Sequence, residues 1–188
     1  CIQPDQRIIG MAARLATEKG VEYLAQALPA ILERFPTARV LMVGPYQHIV
    51  GEEQYAARVL REIEPFREHW KFLGVVSPEE MSAFFHESEV VALPSLNSTE
   101  SYGMVQIEAM SCGTPVVASD LPGVRVPVSR TGAGLIVPPA DAAALARAII
   151  AILEDPARYR GQTADLVRQS TPEAVAEAYE AIFKSQKI

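Results

Sequence analysis

Residues Leu93–Ala118 read LPSLNSTESYGMVQIEAMSCGTPVVA, and the fold follows from this stretch. Its first residue closes a short apolar strand, Val90–Leu93. A polar loop comes next, then helical spacing over Tyr102–Cys112, with Gly113 as the helix end before Pro115. A second apolar strand follows at Pro115–Ala118. Two glutamates, Glu100 and Glu108, bracket Gly103. With a helix starting near Tyr102 they are separated by roughly 12 Å along its axis, at about 1.5 Å per residue. That span matches a sugar, a diphosphate and a ribose laid end to end. The first-turn amides of Gly103, Met104 and Val105 lack intrahelical partners and carry the positive end of the helix dipole. Gly103 would let a phosphate approach the backbone. The alternative is a capped helix with Glu100 as a dipole partner and Glu108 as a solvated side chain. Against it stands the apolar company of Glu108 (Val105, Ile107, Ala109, Met110) between two buried strands.

Working outward, short apolar runs recur between helical segments, the pattern of a parallel α/β sheet. The expected strands are Arg7–Met11, Arg39–Val43, Lys71–Leu73, Val90–Leu93, Pro115–Ala118 and Gly134–Val137. Val21–Arg34 is a helix with Val21, Leu24, Ala25, Leu28, Ile31 and Leu32 on one face. Glu52–His69 is mostly helical, with a break at Pro65. Ser77-Pro78-Glu79-Glu80 opens a helix to about Glu87 with a capping box. Asp141 caps an alanine-rich helix to about Leu153, and Asp155-Pro156 and Thr171-Pro172 begin two more. The last, reaching Lys184, carries an apolar stripe (Val175, Ala178, Tyr179, Ile182) that must pack on something. The simplest account is one α/β domain over 1–188, a doubly wound Rossmann-like parallel sheet of about six strands with helices on both faces.

Composition narrows the function. With 188 residues, 49% hydrophobic and 21% charged, the chain suits one well-buried domain. A net charge of −6 argues against a nucleic-acid partner. No apolar run is long enough to span a membrane, Ala142–Leu153 being interrupted by Arg147. Cys1 and Cys112 form neither a disulfide framework nor a metal spacing, and no leader is visible, so the reading is a reduced, cytoplasmic protein. The start at Cys1, in a polar lead of Gln3, Pro4, Asp5 and Gln6, reads as a boundary within a longer protein.

In doubly wound sheets ligands bind at the carboxyl ends of the strands. Three polar segments are expected there: Arg14–Gly20, Gly74–Ser77 and Pro94–Ser101. Arg14 and Lys19 suit a leaving diphosphate that gains negative charge, although two solvated loop cations would look the same.

Taken together, Arg14-x4-Lys19-Gly20, Phe72-Leu73-Gly74 and Pro94-Ser95…Glu100-x2-Gly103-x4-Glu108-Ala109-x3-Gly113-x-Pro115-Val116-Val117-Ala118 resemble the C-terminal, nucleotide-sugar-binding domain of retaining family 4 glycosyltransferases. The resemblance covers nearly the whole chain and implies the C-terminal half of a GT-B fold. It implies Arg14 and Lys19 on the donor diphosphate and Glu100 on the transferred sugar's hydroxyls. Amides of Ser101, Tyr102, Gly103, Met104 and Val105 would meet sugar and phosphate, Glu108 the ribose, and main chain around Phe72–Val76 the base. The substrate would be a UDP- or GDP-sugar, with no cofactor and no metal, since Asp-x-Asp is absent. The acceptor would sit on an N-terminal domain outside this chain, leaving the isolated domain inactive. The family's usual Gly-Phe after the first glutamate is replaced by Ser101-Tyr102, and the loop Gly44–Gly51 is longer than usual. A non-catalytic nucleotide-sugar-binding module and another GT-B enzyme, such as a nucleotide-sugar epimerase, are the alternatives.

Smaller signals are read as structural. His48, His69 and His86 lack ligand spacing, Trp70 is assigned to packing, and Cys112 is read as a buried small apolar residue. Gly132-Ala133-Gly134 precedes a strand and is not a dinucleotide fingerprint. Asp120 and Arg125 lie on a loop that could approach the site.

Overall fold

The computed structural model describes Gln3 and residues 5–185; Cys1 and Pro4 of the polar lead lie outside the described residues. Six parallel strands form one sheet: β1 (Arg7–Ala12), β2 (Ala38–Val43), β3 (Trp70–Gly74), β4 (Val90–Leu93), β5 (Val116–Ser119) and β6 (Gly134–Val137). Every strand boundary falls within one residue of the sequence expectation. The spatial order is β3-β2-β1-β4-β5-β6. The chain steps outward from β1 through β2 to β3, then returns to the far side of β1 as β4. Right-handed crossovers on either side of this reversal place their helices on opposite faces of the sheet.

On one face, α1 (Val21–Arg34), α2 (Glu53–Ile63) and α6 (Ala142–Glu154) bury Leu24, Leu28, Ile31, Val59, Leu145 and Ile149 against Ile9, Met11, Val40 and Met42. On the other, α3 (Pro78–Glu87), α4 (Met104–Ser111), α5 (Val126–Thr131) and α7 (Ala164–Gln169) close over Ile8, Leu41, Val91 and Leu93. Ile8 and Ile9 thus serve opposite cores, as successive side chains of a strand must. A sheet covered on both faces explains why its strands are apolar runs instead of alternating ones.

The break expected at Pro65 is present, whereas the segment after α6 needs correction and two short helices lie outside the expectation. α2 ends at Ile63; beyond it Glu64–His69 tightens into a 3₁₀ turn around Pro65, with Phe66 non-helical. Asp155-Pro156 opens only a 3₁₀ turn, Pro156–Tyr159, where Asp155 caps the Arg158 N–H. The six-residue helices α5 and α7 are not anticipated, being too short to show a 3.6-residue period. The capping box of α3 is present as read, with Ser77 and Glu80 exchanging hydrogen bonds of 2.9 and 3.2 Å. The last helix, α8 (Pro172–Ser185), has no buried residue, and Val175, Tyr179 and Ile182 stay exposed.

Within β1, Gly10 sits where α3 ends on the sheet. A Cβ there would lie 2.5 Å from Ser88 Oγ and 2.8 Å from Phe84 Cζ. Gly10→Val should therefore overpack this contact and cost about 1–3 kcal/mol. Urea unfolding measures it, and an unchanged midpoint would show that the contact is looser than described.

Candidate functional site

The segments that leave the carboxyl ends of adjacent β1 and β4 build the site together. After β1, the Ala13 N–H donates to Val43 O (2.9 Å) and the Leu15 N–H to Pro45 O (2.8 Å). A 3₁₀ turn, Thr17–Lys19, then closes at Gly20, whose φ of 64° is left-handed. A Cβ at Gly20 would also lie 2.1 Å from Pro94 O, in the segment after β4. Conformation and space both demand glycine here. The Leu96 N–H donates to Glu18 O at 2.9 Å, so the two segments are joined through their backbones as well.

Across this seam Lys19 Nζ donates to Glu100 Oε2 at 2.6 Å, with side chains only 18% and 16% exposed. Two of the expected site residues, far apart in sequence, are thus in direct contact. Arg14 is not brought to the same carboxylate. Its guanidinium, 57% exposed, lies 2.5 Å from Glu18 Oε1. Burial pushes the Glu18 carboxyl up, but its backbone hydrogen bond, the bond from Arg14 and the charges of Arg14 and Lys19 outweigh that and hold it below the ordinary carboxylate value.

Between Glu100 and the helix, Asn97 turns the loop, its Oδ1 accepting from Thr99 N (3.0 Å) and Oγ1 (2.6 Å). α4 begins at Met104 and not at Tyr102, with Gly103 as N-cap at φ 72°. A Cβ on Gly103 would meet Leu93 Cδ2 at 2.6 Å and Gln106 Nε2 at 2.8 Å, so this glycine serves packing as well as access. Among the described residues no backbone carbonyl accepts the N–H of Gly103, Met104 or Val105, the first cap bond being Gln106 N to Gly103 O at 2.9 Å. No carboxylate occupies the helix's first turn, so its positive end is not neutralised locally.

Two supports of this loop escape sequence reasoning. Gln106 is completely buried, and its Nε2 donates to Tyr102 O (3.0 Å) and Val124 O (2.9 Å). It ties the Ser101–Gly103 loop to the segment after β5. The available signal was one amide among the apolar residues of the helix. Gly123 lies so close to the loop that a Cβ would fall 1.7 Å from Ser101 O. Asp120 and Arg125, in the same segment, pair with each other at 2.9 Å instead of joining the site.

Glu108 is separated from this cluster. α4 buries Gln106, Ile107, Ala109 and Met110, while Glu108 projects outward and is exposed. The apolar neighbours in sequence therefore say nothing about its own surroundings. It lines an open cleft of about 470 Å³ between α3 and α4, together with Val76, Met81, Phe85, Ser111 and Cys112. Cys112 is half-buried at the cleft wall, not sealed in the core as its sequence context suggests. Val76 and Glu108, expected at the base and the ribose, share this cleft. On the other face of the sheet Phe72 stacks on Tyr46 with centroids 4.6 Å apart, and Trp70 is buried in the packing role expected of it. Among the described residues no group of three His, Cys, Asp or Glu side chains is placed to hold a metal ion, and no helix is long and apolar enough to cross a membrane.

Residues 2–170 match the family described as Glycosyl transferases group 1. The chain is 34% identical over 170 residues to the phosphatidyl-myo-inositol mannosyltransferase of Mycobacterium leprae, covering 89% of this chain and 43% of that protein. It is 35% identical over 151 residues to the D-inositol 3-phosphate glycosyltransferase of Corynebacterium urealyticum, covering 79% and 35%. The chain thus spans less than half the length of these curated relatives. Among solved structures, sucrose-phosphate synthase from Thermosynechococcus elongatus superposes with a TM-score of 0.81 at 31% identity, covering 97% of this chain and 46% of that one. Anabaena HepE, in complex with UDP and glucose, gives 0.82 at 25% identity, covering 97% and 49%.

Two outcomes follow from this geometry. Gln106→Leu keeps the shape but leaves one buried and one part-buried carbonyl without their donor, and should cost about 1–3 kcal/mol in urea unfolding. A neutral result would remove Gln106 from the loop's supports. For Glu18, the depressed folded value means a stabilising contribution that is complete above the ordinary carboxylate range and is lost as pH falls through the folded value. Glu18→Gln should flatten the acid limb of the stability–pH curve; an acid limb that coincides with the parent's would refute this.

Proposed function

We propose that this chain, which belongs to the Glycosyl transferases group 1 family, is the donor-binding domain of a GT-B enzyme that moves a sugar from a nucleoside diphosphate sugar to an acceptor. The observation that carries this reading is the Lys19–Glu100 pair at the β1–β4 seam, followed by helix amides that have no partner among the described residues. A cation, a carboxylate and free N–H donors at one place answer the three needs of a glycosyl donor. Lys19 and the amides of Gly103, Met104 and Val105 take the diphosphate, and Glu100 takes the hydroxyls of the transferred sugar. Arg14 turns from Glu18 toward the phosphates. Glu108 holds the ribose at the mouth of the cleft, with the base against Val76. UDP is the first candidate for the nucleotide, because HepE is solved with UDP and with UDP-glucose; GDP donors fit the same chemistry.

The mechanism follows from where charge moves. Cleaving the glycosyl–phosphate bond makes the sugar cationic and puts a further negative charge on the diphosphate. Lys19, Arg14 and the helix amides interact more strongly with that charge than with the intact donor, which lowers the barrier. In this proposal the leaving group is stabilised by these residues and no metal is invoked. Retention of configuration is proposed from the family resemblance, the departing phosphate taking the acceptor's proton on the face of attack. Because the chain spans less than half of its relatives, the acceptor site belongs in this proposal to an N-terminal domain, and residues 1–188 alone are expected to bind donor without turnover.

Calorimetric titration with UDP, GDP and their glucose- and mannose-linked forms tests the assignment. Glu108→Ala should weaken the nucleotide and the sugar nucleotide together, by roughly tenfold for a lost charged hydrogen bond. Glu100→Ala should abolish the preference for the sugar-linked form. It should leave the free diphosphate's affinity unchanged or tighter, since Lys19 loses a competing carboxylate. If neither variant alters any affinity, the site is elsewhere.

A further inference from the structure

The loop after β2, longer than the resemblance leads one to expect, takes part in the site through its last residue. The 3₁₀ turn Thr17–Lys19 starts from Ala16, which has no side-chain oxygen and cannot cap it. The missing cap comes from far along the chain. One oxygen of Glu52, Oε2, accepts both the Thr17 N–H (3.1 Å) and the Thr17 hydroxyl (2.7 Å). The backbone of Glu52 is itself held, its N–H by Ile49 O at 3.0 Å and its carbonyl by the Ala56 N–H at 2.8 Å. Its carboxylate is therefore presented from a fixed point at the head of α2. The base of the same loop is seated on the β1 segment, where Gly44 is so close that a Cβ would lie 2.3 Å from Ala13 O.

We infer that Glu52 is a positioning residue for donor binding: it holds the turn that carries Lys19 so that the ammonium faces the diphosphate. The inference rests on the donor-binding reading above and deepens it. The turn is fixed from two sides. Leu96 and Pro94 grip it at Glu18 and Gly20, and Glu52 grips it at Thr17. Releasing Glu52 frees one end of a three-residue turn while Leu15, Ala16 and Gly20 stay buried, so the fold survives and only the placement of Lys19 loosens. A carboxylate suits this task because it offers several lone pairs to two donors at once and complements the positive end of the turn.

The test uses the full chain and compares UDP and GDP with UMP and GMP, because only the diphosphates reach Lys19 in this scheme. Glu52→Ala should weaken diphosphate binding by roughly three- to tenfold, the loss of a shared pair of partly exposed hydrogen bonds, and leave monophosphate binding within about twofold. Thr17→Val, which removes only the hydroxyl, should lose less. Glu52→Gln keeps an accepting oxygen and should restore most of the affinity. The urea midpoint of all three should stay close to the parent's. Diphosphate affinity unchanged in Glu52→Ala, or diphosphate and monophosphate weakened equally, would overturn the inference while leaving the functional reading intact. A parent chain that binds no nucleotide would overturn both.

Discussion

Gly20 rests against the carbonyl of Pro94, and the functional end of the molecule depends on that contact. It exists because β1 and β4 are parallel neighbours although two other strands separate them in the chain. The segments that follow them emerge side by side, and a left-handed glycine lets the backbones touch without a side chain between them. Two contacts follow from this approach, the Leu96–Glu18 backbone bond and the Lys19–Glu100 pair. A residue with a Cβ at position 20 would separate a cation from the carboxylate it meets.

The charges at the seam are paired within it. In an acidic chain, free cations at the binding end would attract any anion; here Lys19 and Arg14 each rest on a carboxylate of the same site. Under the proposed function, a diphosphate with a sugar attached would offer a partner to both members of the Lys19–Glu100 pair, phosphate for the lysine and hydroxyls for the glutamate. A simple anion offers a partner only to the lysine and leaves Glu100 unpaired in a partly buried place, which costs free energy. In the proposed reading, selectivity for a sugar-linked diphosphate would arise from breaking this one ion pair, with Glu100 as the contact to the sugar. On the Glu100 side the supports are neutral or backbone groups, Gln106, Gly103 and Gly123, which hold the loop without adding charge.

Much of this was legible along the chain because its signals are local. Apolar runs of four to six residues and helical spacing between them place the six strands, and Ser77-Pro78-Glu79-Glu80 announces α3 through its cap. What escaped is short or nonlocal. α5 and α7 are shorter than two turns and leave no periodic trace. Glu108 shows the limit of inference from neighbours: its helix is apolar, yet one position of that helix faces out, and only the packing of α4 says which. Cys112 failed for the same reason, lying on the cleft side of the helix end.

The sequence by itself determined a parallel α/β sheet, and it singled out Arg14, Lys19, Glu100, Gly103 and Glu108 as candidates for a ligand end expected at the strand termini. Motif spacing can do this because each signal is carried within a few turns or one strand. Which of those residues meet was decided only by the tertiary structure. Lys19 finds Glu100 but Arg14 finds Glu18, Glu52 reaches back to Thr17, and Gln106 bridges Tyr102 to Val124. Most of these partners lie far apart in the chain, and strand order with helix packing brings them within hydrogen-bond reach. Even the short-range pairs depend on the direction in which that packing turns a side chain, which spacing along the chain does not encode.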